Sequence, residues 1–350
     1  VLANMWLARG RPGEAQHLLE RAIQAATSRT TAPLPTLGDL HVGLADVLRE
    51  KGDLAGAADQ LQVARQLGDH ASLPENRHRW FTTMAALLHA QGDLEGAVAM
   101  LDEAEPLFLP GYFPDVRPIG SLRARLRIAQ GRLDDARSWA RARRITPVDP
   151  PTYLAEHEQL TLARLLVAEG DAARGIELLD HVLDAALAVG RTASVVEARA
   201  VRALAYARLG DEHAAIADLT AALADGAPAG HRRLFLDEGA PMIAVLETIA
   251  AAAKPDAHAH ATQVLSIAPP SAEKPTPPPV RGEVALVDPL SERELEVLRL
   301  LATDLSGPEI AGHLFVSINT LRTHTKHIFT KLDVNTRRAA VRRATELGLG

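Results

Sequence analysis

Between Leu37 and Leu48 the apolar positions Leu37, Leu40, Leu44, Val47 and Leu48 fall on one face of a 3.6-residue turn, which predicts an amphipathic helix. Gly52 follows, and glycine takes the left-handed conformation that ends a helix at little cost. Asp53 comes next, with a side chain suited to cap the following helix. Beyond it Ala57, Leu61 and Ala64 form one stripe of that second helix. Helix, tight turn and helix is the expected local unit.

The unit recurs. Gly10, Gly52, Gly92, Gly131, Gly170 and Gly210 each close an apolar-periodic stretch, lie 39 to 42 residues apart, and precede a small residue five places on. Ala97, Leu101 and Ala104 repeat the small, bulky, small stripe, as do Ala215, Leu219 and Ala222. Alanine lets two helix backbones approach, and leucine fills the groove beside it. The fourth unit departs, with Ala140 and Arg143 at the last two positions. Such units cannot bury their apolar faces alone, so they are expected to stack into a superhelix with a concave groove. The turn and the stripe resemble the tetratricopeptide repeat over roughly residues 1 to 224. The period exceeds that family's length of about 34 residues, which leaves room for extended helices or loops.

Arg233 to Gly239, reading Arg-Leu-Phe-Leu-Asp-Glu-Gly, breaks the repeat, and an apolar stretch follows it through Ile249. This reads as a terminal cap, so residues 1–253 are expected to form the repeat domain. From Lys254 to Pro289 the prolines cluster (Pro269, Pro270, Pro275, Pro277, Pro278 and Pro279) with few large apolar residues among them. A semi-extended tether over 254–289 is the expectation. His258 and His260 lie within it, but two histidines without further ligands do not make a metal site, and none is expected.

Composition narrows the class. Apolar residues make up 47% of the 350 residues and aromatics only 3%, so the core must come from Leu, Val, Ile and Ala. That favours closely packed helices over a β-sandwich, since strands recruit β-branched and aromatic residues. An all-α fold follows. The absence of cysteine excludes disulfide scaffolds, thiolate zinc sites and cysteine nucleophiles, and fits a reducing compartment. No apolar run approaches the roughly 18 residues of a membrane span, and Glu247 interrupts Ala240 to Ala253. Val1 to Arg9 lacks a signal-peptide layout. A cytoplasmic protein without a membrane partner is expected. Neither Gly-x-Ser-x-Gly, His-Glu-x-x-His nor a glycine-rich phosphate loop occurs, and the scattered acids read as solvated helix faces. An enzyme is not expected.

The net charge of −6 is unevenly spread. From Leu290 onward nine Lys/Arg oppose seven Asp/Glu, so this part carries +2 and the rest −8. Between Ser317 and Arg343 the bases Arg322, Lys326, Lys331, Arg337, Arg338, Arg342 and Arg343 face one acid, Asp333. Local charge, not the whole-chain sum, governs contact with phosphates.

Helix signals in this part are dense. Ser291 with Glu294 forms a capping box before Leu295, Leu298 and Leu301, and Ser306 with Glu309 forms another before Ile310, Ala311 and Leu314. After a turn at Phe315 and Val316, Ser317 opens a longer helix burying Ile318, Leu321, Thr325, Ile328 and Leu332. A last helix, about Thr336 to Leu347, turns Ala339, Ala340 and Ala344 inward. A short helix, a tight turn and a longer helix with a basic outer face make a helix-turn-helix. Arg322, Thr323 and Lys326 share one exposed edge of the longer helix, where Arg or Lys can donate to guanine O6 and N7 in the major groove. Its N-terminus offers backbone N–H groups to phosphate, and Lys331, Arg337 and Arg338 extend the positive surface.

The run Leu-Ser-Glu-Arg-Glu-Leu-Glu-Val-Leu-Arg-Leu-Leu-Ala from Leu290, then Glu309-Ile310-Ala311, Ser317 to His324 and Lys331 to Val334 resembles the LuxR-type DNA-binding domain. The resemblance spans residues 290–350 and implies a four-helix domain whose third helix enters the major groove while the fourth assists dimerisation. It implies base contacts by Arg322, Thr323 and Lys326, and phosphate contacts by Ser317, Thr320 and Lys331, while His324 matches a near-constant position; His327, Arg337 and Arg338 are also expected at phosphates. Asp304 stands where that family usually has glycine, at a cost of about 1 kcal/mol. Gly307-Pro308 replaces a polar pair that often touches phosphate.

Helical repeats followed by this domain resemble the large ATP-binding, MalT-like class of LuxR regulators. In that class a nucleotide-binding module precedes the repeats. No Gly-x-x-x-x-Gly-Lys-Ser/Thr loop occurs here, and the chain opens at Val1 inside a helical pattern, so a missing upstream module is expected, with ATP as its cofactor and no cofactor in this chain. The expected function is a sequence-specific transcriptional regulator, homodimeric on double-stranded DNA, with a small-molecule or protein effector in the groove between roughly Leu37 and Leu223 and RNA polymerase as a candidate partner. The competing reading is a scaffold that gathers protein partners and binds DNA only secondarily.

Overall fold

The structure, a computed structural model, describes residues 2–29, 34–251 and 255–268, together with Val297, Leu298, Leu300, Leu301, Ile310, Thr325, Ile328, Phe329, Lys331, Val334, Arg337, Ala340 and Arg343. The chain divides into two compact units, 1–270 and 271–350. Among the described residues there are helices and turns and no strand, so the fold is all-α.

The first unit is a succession of antiparallel hairpins. They are α1 (Leu2–Ala8) with α2 (Pro12–Arg29), α3 (Leu37–Glu50) with α4 (Leu54–Leu67), α5 (Arg77–Ala90) with α6 (Leu94–Ala104), α7 (Ile119–Ala129) with α8 (Leu133–Arg143), α9 (Glu156–Glu169) with α10 (Ala172–Ala188), and α11 (Thr192–Arg208) with α12 (Glu212–Ala229). Three further helices follow: α13 (Arg233–Leu236), α14 (Ala240–Ala251) and α15 (Pro255–Leu265).

Every hairpin turn is the expected glycine. Gly10, Gly52, Gly92, Gly131, Gly170 and Gly210 all have positive φ, between 67° and 90°. At Gly52 the glycine N–H donates to the Arg49 carbonyl at 2.9 Å and the Asp53 N–H to the Leu48 carbonyl at 2.9 Å, which satisfies carbonyls the helix end leaves open. The same pair of bonds recurs at Gly92, Gly131, Gly170 and Gly210. Asp53, Asp93 and Asp211 then cap the next helix by accepting from Gly56, Gly96 and Ala214. Asp171 occupies the same position without such a bond, and Arg132 stands there in the fourth unit.

The stripes form the seams between helices. Ala57 and Leu61, Ala97 and Leu101, Leu219 and Ala222 are wholly or almost wholly buried. Burying one leucine contributes roughly 1.5–3 kcal/mol, and each seam joins a cluster that runs into the next hairpin. The fourth unit makes up its deficit with half-buried Trp139 and Ile145 beside Ala136 and Ala140. Arg143 leaves the seam and pairs with Glu158 at 2.7 Å. The long period is filled in two ways. Residues 108–118 and 145–155 are loops between hairpins, whereas α10 and α11, each 17 residues, are joined by Val189–Arg191 alone.

Part of the stretch expected as a tether is helical. Residues 255–265 form α15, whose Ala257, Ala261 and Val264 at helical spacing bury against α12 and α14. His258 directs Nδ1 to the Ala250 carbonyl and so serves the junction of α14 and α15. The prolines from 269 onward lie outside the described residues.

The stack turns far enough for its ends to meet. α1 packs against α11, and α13 packs against α3. Gly10 approaches Thr192 so closely that a Cβ there would sit 3.2 Å from the threonine Cβ. The Arg232 N–H donates to the Glu50 carbonyl at 3.1 Å. Six hairpins therefore close into a ring, with α13 at the joint.

In the second unit Val297, Leu298, Leu301, Ile310, Ile328 and Ala340 are buried. Leu298, Leu301, Ile310, Ile328 and Ala340 were all expected on inward faces; Val297 was not.

Candidate functional site

Two surfaces are candidates: the inner face of the ring and the basic part of the second unit. The first helices α3, α7, α9 and α11 of their hairpins carry charge toward the ring's interior. Arg49 comes from α3, Arg125 from α7, Arg164 from α9 and Glu197 from α11, while Asp237 and Glu238 follow α13. Glu197 joins Arg125 at 2.8 Å and Arg164 at 3.0 Å. Glu238 accepts from Arg164 Nε at 2.9 Å. Asp237 accepts from Arg49 at 2.7 Å and also pairs with Arg233. Glu50 accepts from the Leu234 N–H at 3.1 Å and faces His231 Nδ1 at 3.2 Å. These acids were expected to be solvated helix surface. Ring closure makes an interior of what sequence periodicity assigns to solvent, and the acids are largely buried in it.

Burial and charge compete at these groups. Burial works to raise the Glu197 carboxyl, but Arg125 and Arg164 overcome it and hold the group below the usual carboxylate range. Burial, aided by the Arg164 charge, pulls Arg125 down to about 10 against the attraction of Glu197. Arg49 and Arg164 are raised despite burial, by Asp237 and by Glu238 respectively. Burial, with Arg125 behind it, lowers His157 well below its ordinary value and keeps it neutral.

His157 and Ser121 lie 2.6 Å apart, a contact that could be mistaken for an activated hydroxyl. The Ser121 hydroxyl donates to the Pro118 carbonyl at 2.9 Å, so its oxygen accepts from Nδ1–H of the imidazole. That polarity is opposite to the one a nucleophile needs. The contact ties α9 to α7. Among the described residues no group of three or more His, Asp or Glu could hold a metal ion.

In the second unit the structure describes two of the expected contact residues. Lys331 and Arg337 are both half-buried and helical. Arg337 Nε donates to the Leu301 carbonyl at 2.8 Å, so part of its guanidinium serves the fold by tying position 337 to position 301. Val334 donates its N–H to the Phe329 carbonyl at 2.9 Å. The base-reading set Arg322, Thr323 and Lys326, and the phosphate set Ser317, Thr320, His327 and Arg338, lie outside the described residues.

Comparison with known families supplies the context for both surfaces. Residues 288–344 match the family described as bacterial regulatory proteins, luxR family. Residues 1–252 match the family described as MalT-like TPR region. A tetratricopeptide-like array with a luxR-family helix-turn-helix behind it defines a DNA-binding transcription regulator. The match over residues 1–252 takes in well over half of the sequence, and the chain belongs to the MalT-like TPR family. Both units thus fall in families of regulatory proteins. No helix among the described residues is long and apolar enough to cross a membrane.

Sequence reasoning missed the inner-face cluster altogether. Its one signal was Arg233 to Gly239, a charged interruption of an otherwise regular repeat, which was read only as a cap.

Proposed function

We propose that the second unit reads a specific DNA sequence with its third helix in the major groove, and that the repeat ring receives the signal that controls this reading. Arg322, Thr323 and Lys326 take the base edges; Ser317, Thr320, His327, Lys331 and Arg338 take phosphates. Arg337 joins them at the phosphates. What carries this reading is the luxR-family match over 288–344, together with the seven bases facing one acid between Ser317 and Arg343. A single such unit makes limited base contact, so two copies on half-sites about one helical turn apart are the proposed working form. The effector, a small molecule or a protein, acts by shifting the monomer–dimer balance.

Fluorescence anisotropy of the full chain on duplex DNA at several salt concentrations tests the assignment. Arg322→Ala should relax base preference at one position, at a cost of about 1–3 kcal/mol on the preferred site. Lys331→Ala should weaken binding to all duplexes alike and reduce the salt slope by about 1. Equal loss of specificity in both variants overturns the division of roles. Absence of any duplex binding at low salt leaves a protein-gathering scaffold.

A further inference from the structure

Two kinds of joint hold the ring. Neighbouring hairpins share continuous apolar clusters, and α13 itself is fixed to α11 and α14 in this way: Phe235 is wholly buried, in a cluster with Val196, Ala200, Met242 and Leu246. Among the described residues, no buried apolar cluster crosses from that assembly to the first two hairpins. The crossing is mainly polar, although Ile267 packs on the Gly52 turn and α1 meets α11. It consists chiefly of the Arg232 N–H on the Glu50 backbone carbonyl, the Leu234 N–H and His231 on the Glu50 carboxylate, and Asp237 on Arg49. Adjacent in the chain, Asp237 and Glu238 reach in different directions, one to α3 in the second hairpin and the other to α9 in the fifth.

The charges on the array side are unequal without that pair. Arg125 and Arg164 would share the single carboxylate of Glu197. Arg49 would keep Glu50 at 3.0 Å and Asp46 at 4.0 Å, although Glu50 is already engaged by His231 and Leu234. The inner face is thus built to receive carboxylates, and the chain supplies two of its own.

We propose that Asp237 and Glu238 are a releasable latch, and that the arginines they hold form a binding site for an acidic peptide segment that competes for the same contacts. The occupant is identified by its chemistry: neighbouring carboxylates on an extended or turned backbone, as the resident segment presents them. Such a segment in a partner protein takes Arg49 and Arg164, the polar joint parts, and the ring opens without loss of its apolar seams. This deepens the reading of the array as a signal receiver and rests on it for biological use; the joint itself is tested without DNA, so its failure leaves the DNA-reading assignment intact.

Amide hydrogen exchange on the full chain reads the joint directly, because the N–H groups of Arg232 and Leu234 cross it. In the Asp237→Asn/Glu238→Gln variant these two amides should exchange at least about tenfold faster, while those of α9 and α10 keep their protection. A fluorescein-labelled peptide of residues 233–239 should bind this variant and not the unmodified protein, and the same peptide with both acids replaced by amides should bind neither. Unchanged exchange at Arg232 and Leu234 overturns the latch, and an opened joint that ignores the acidic peptide overturns the binding site. Should the double variant lose protection everywhere, the charge exchange Arg49→Asp with Asp237→Arg decides. Protection restored relative to Arg49→Asp alone supports the latch, and equal loss in both overturns it.

Discussion

The seam between α11 and α12 and the joint between α3 and α13 do the same job by opposite means. Leu219, Ala222 and Leu223 of α12 bury without a polar atom among their side chains, in a stripe that the other hairpins repeat. At the joint a handful of guanidinium and carboxylate groups, each used once in the chain, hold together residues 188 positions apart. The apolar seam is generic: any hairpin bearing the stripe would fit any other. The polar joint is specific, because a buried charge without its partner is costly and only one arrangement pairs them all. Repetition builds the stack, and the departures from repetition determine where it ends.

Leu219→Ala tests the seam and should have the largest effect. The side chain is fully buried and has little room for collapse around it, so the loss should be roughly 2–5 kcal/mol, read as a lowered urea midpoint. A loss below about 1 kcal/mol would mean that the stripes are not what holds neighbouring hairpins together.

A smaller effect separates the buried polar interior from the seams by its response to acid. His157 is held below its unfolded value, as are His78 and His89, each chiefly by burial. The unfolded chain therefore takes up protons first as pH falls. The stabilisation is fully present above about pH 6.5 and is lost as pH drops below it. The thermal midpoint should fall between pH 7 and pH 5, and His157→Asn, which keeps a donor for Ser121, should flatten that slope. An identical slope in the variant would locate the pH response elsewhere. Glu197 has the depressed pKa of a paired carboxylate, so its contribution persists through this range and is lost only further into acid.

The smallest effects concern the turns, and they should have opposite signs. Gly92 has φ of 88° with open space around it, so Gly92→Ala meets no clash and should cost only the left-handed strain, about 1 kcal/mol. Arg144 has φ of 58° at the end of α8, the one non-glycine residue with positive φ among those described. Arg144→Gly should return part of a similar amount. Denaturant midpoints of the pair check both, and a destabilised Arg144→Gly would show that its side chain contributes more than its backbone costs.

This contrast also explains what the sequence made legible. A turn such as Gly52-Asp53 depends on neighbours within a few residues, and the Ala-Leu-Ala stripe depends on a spacing any reader can count. The same holds for the inward faces of the second unit, where Leu298, Leu301, Ile310, Ile328 and Ala340 are buried as their periodicity requires. Arg49 with Asp237 and Arg164 with Glu238 are different. Their partners lie 188 and 74 residues apart, on faces that look solvated until the ring closes. Helix α15 was hidden for another reason: the prolines beyond it overshadowed Ala257, Ala261 and Val264, whose i, i+4, i+7 spacing was present all along. The proposed base-reading set, Arg322, Thr323 and Lys326, was read from its motif alone and lies outside the described residues.

A closed ring has a consequence that an open solenoid escapes. Open arrays gain and lose repeats over evolutionary time with little penalty, because each unit touches only those beside it. Here the carboxylates after α13 must arrive opposite α3 and α9 at once. One hairpin more or fewer between α3 and α13 would carry them past their arginines, so the number of hairpins from the second to the sixth is pinned by two adjacent acidic residues.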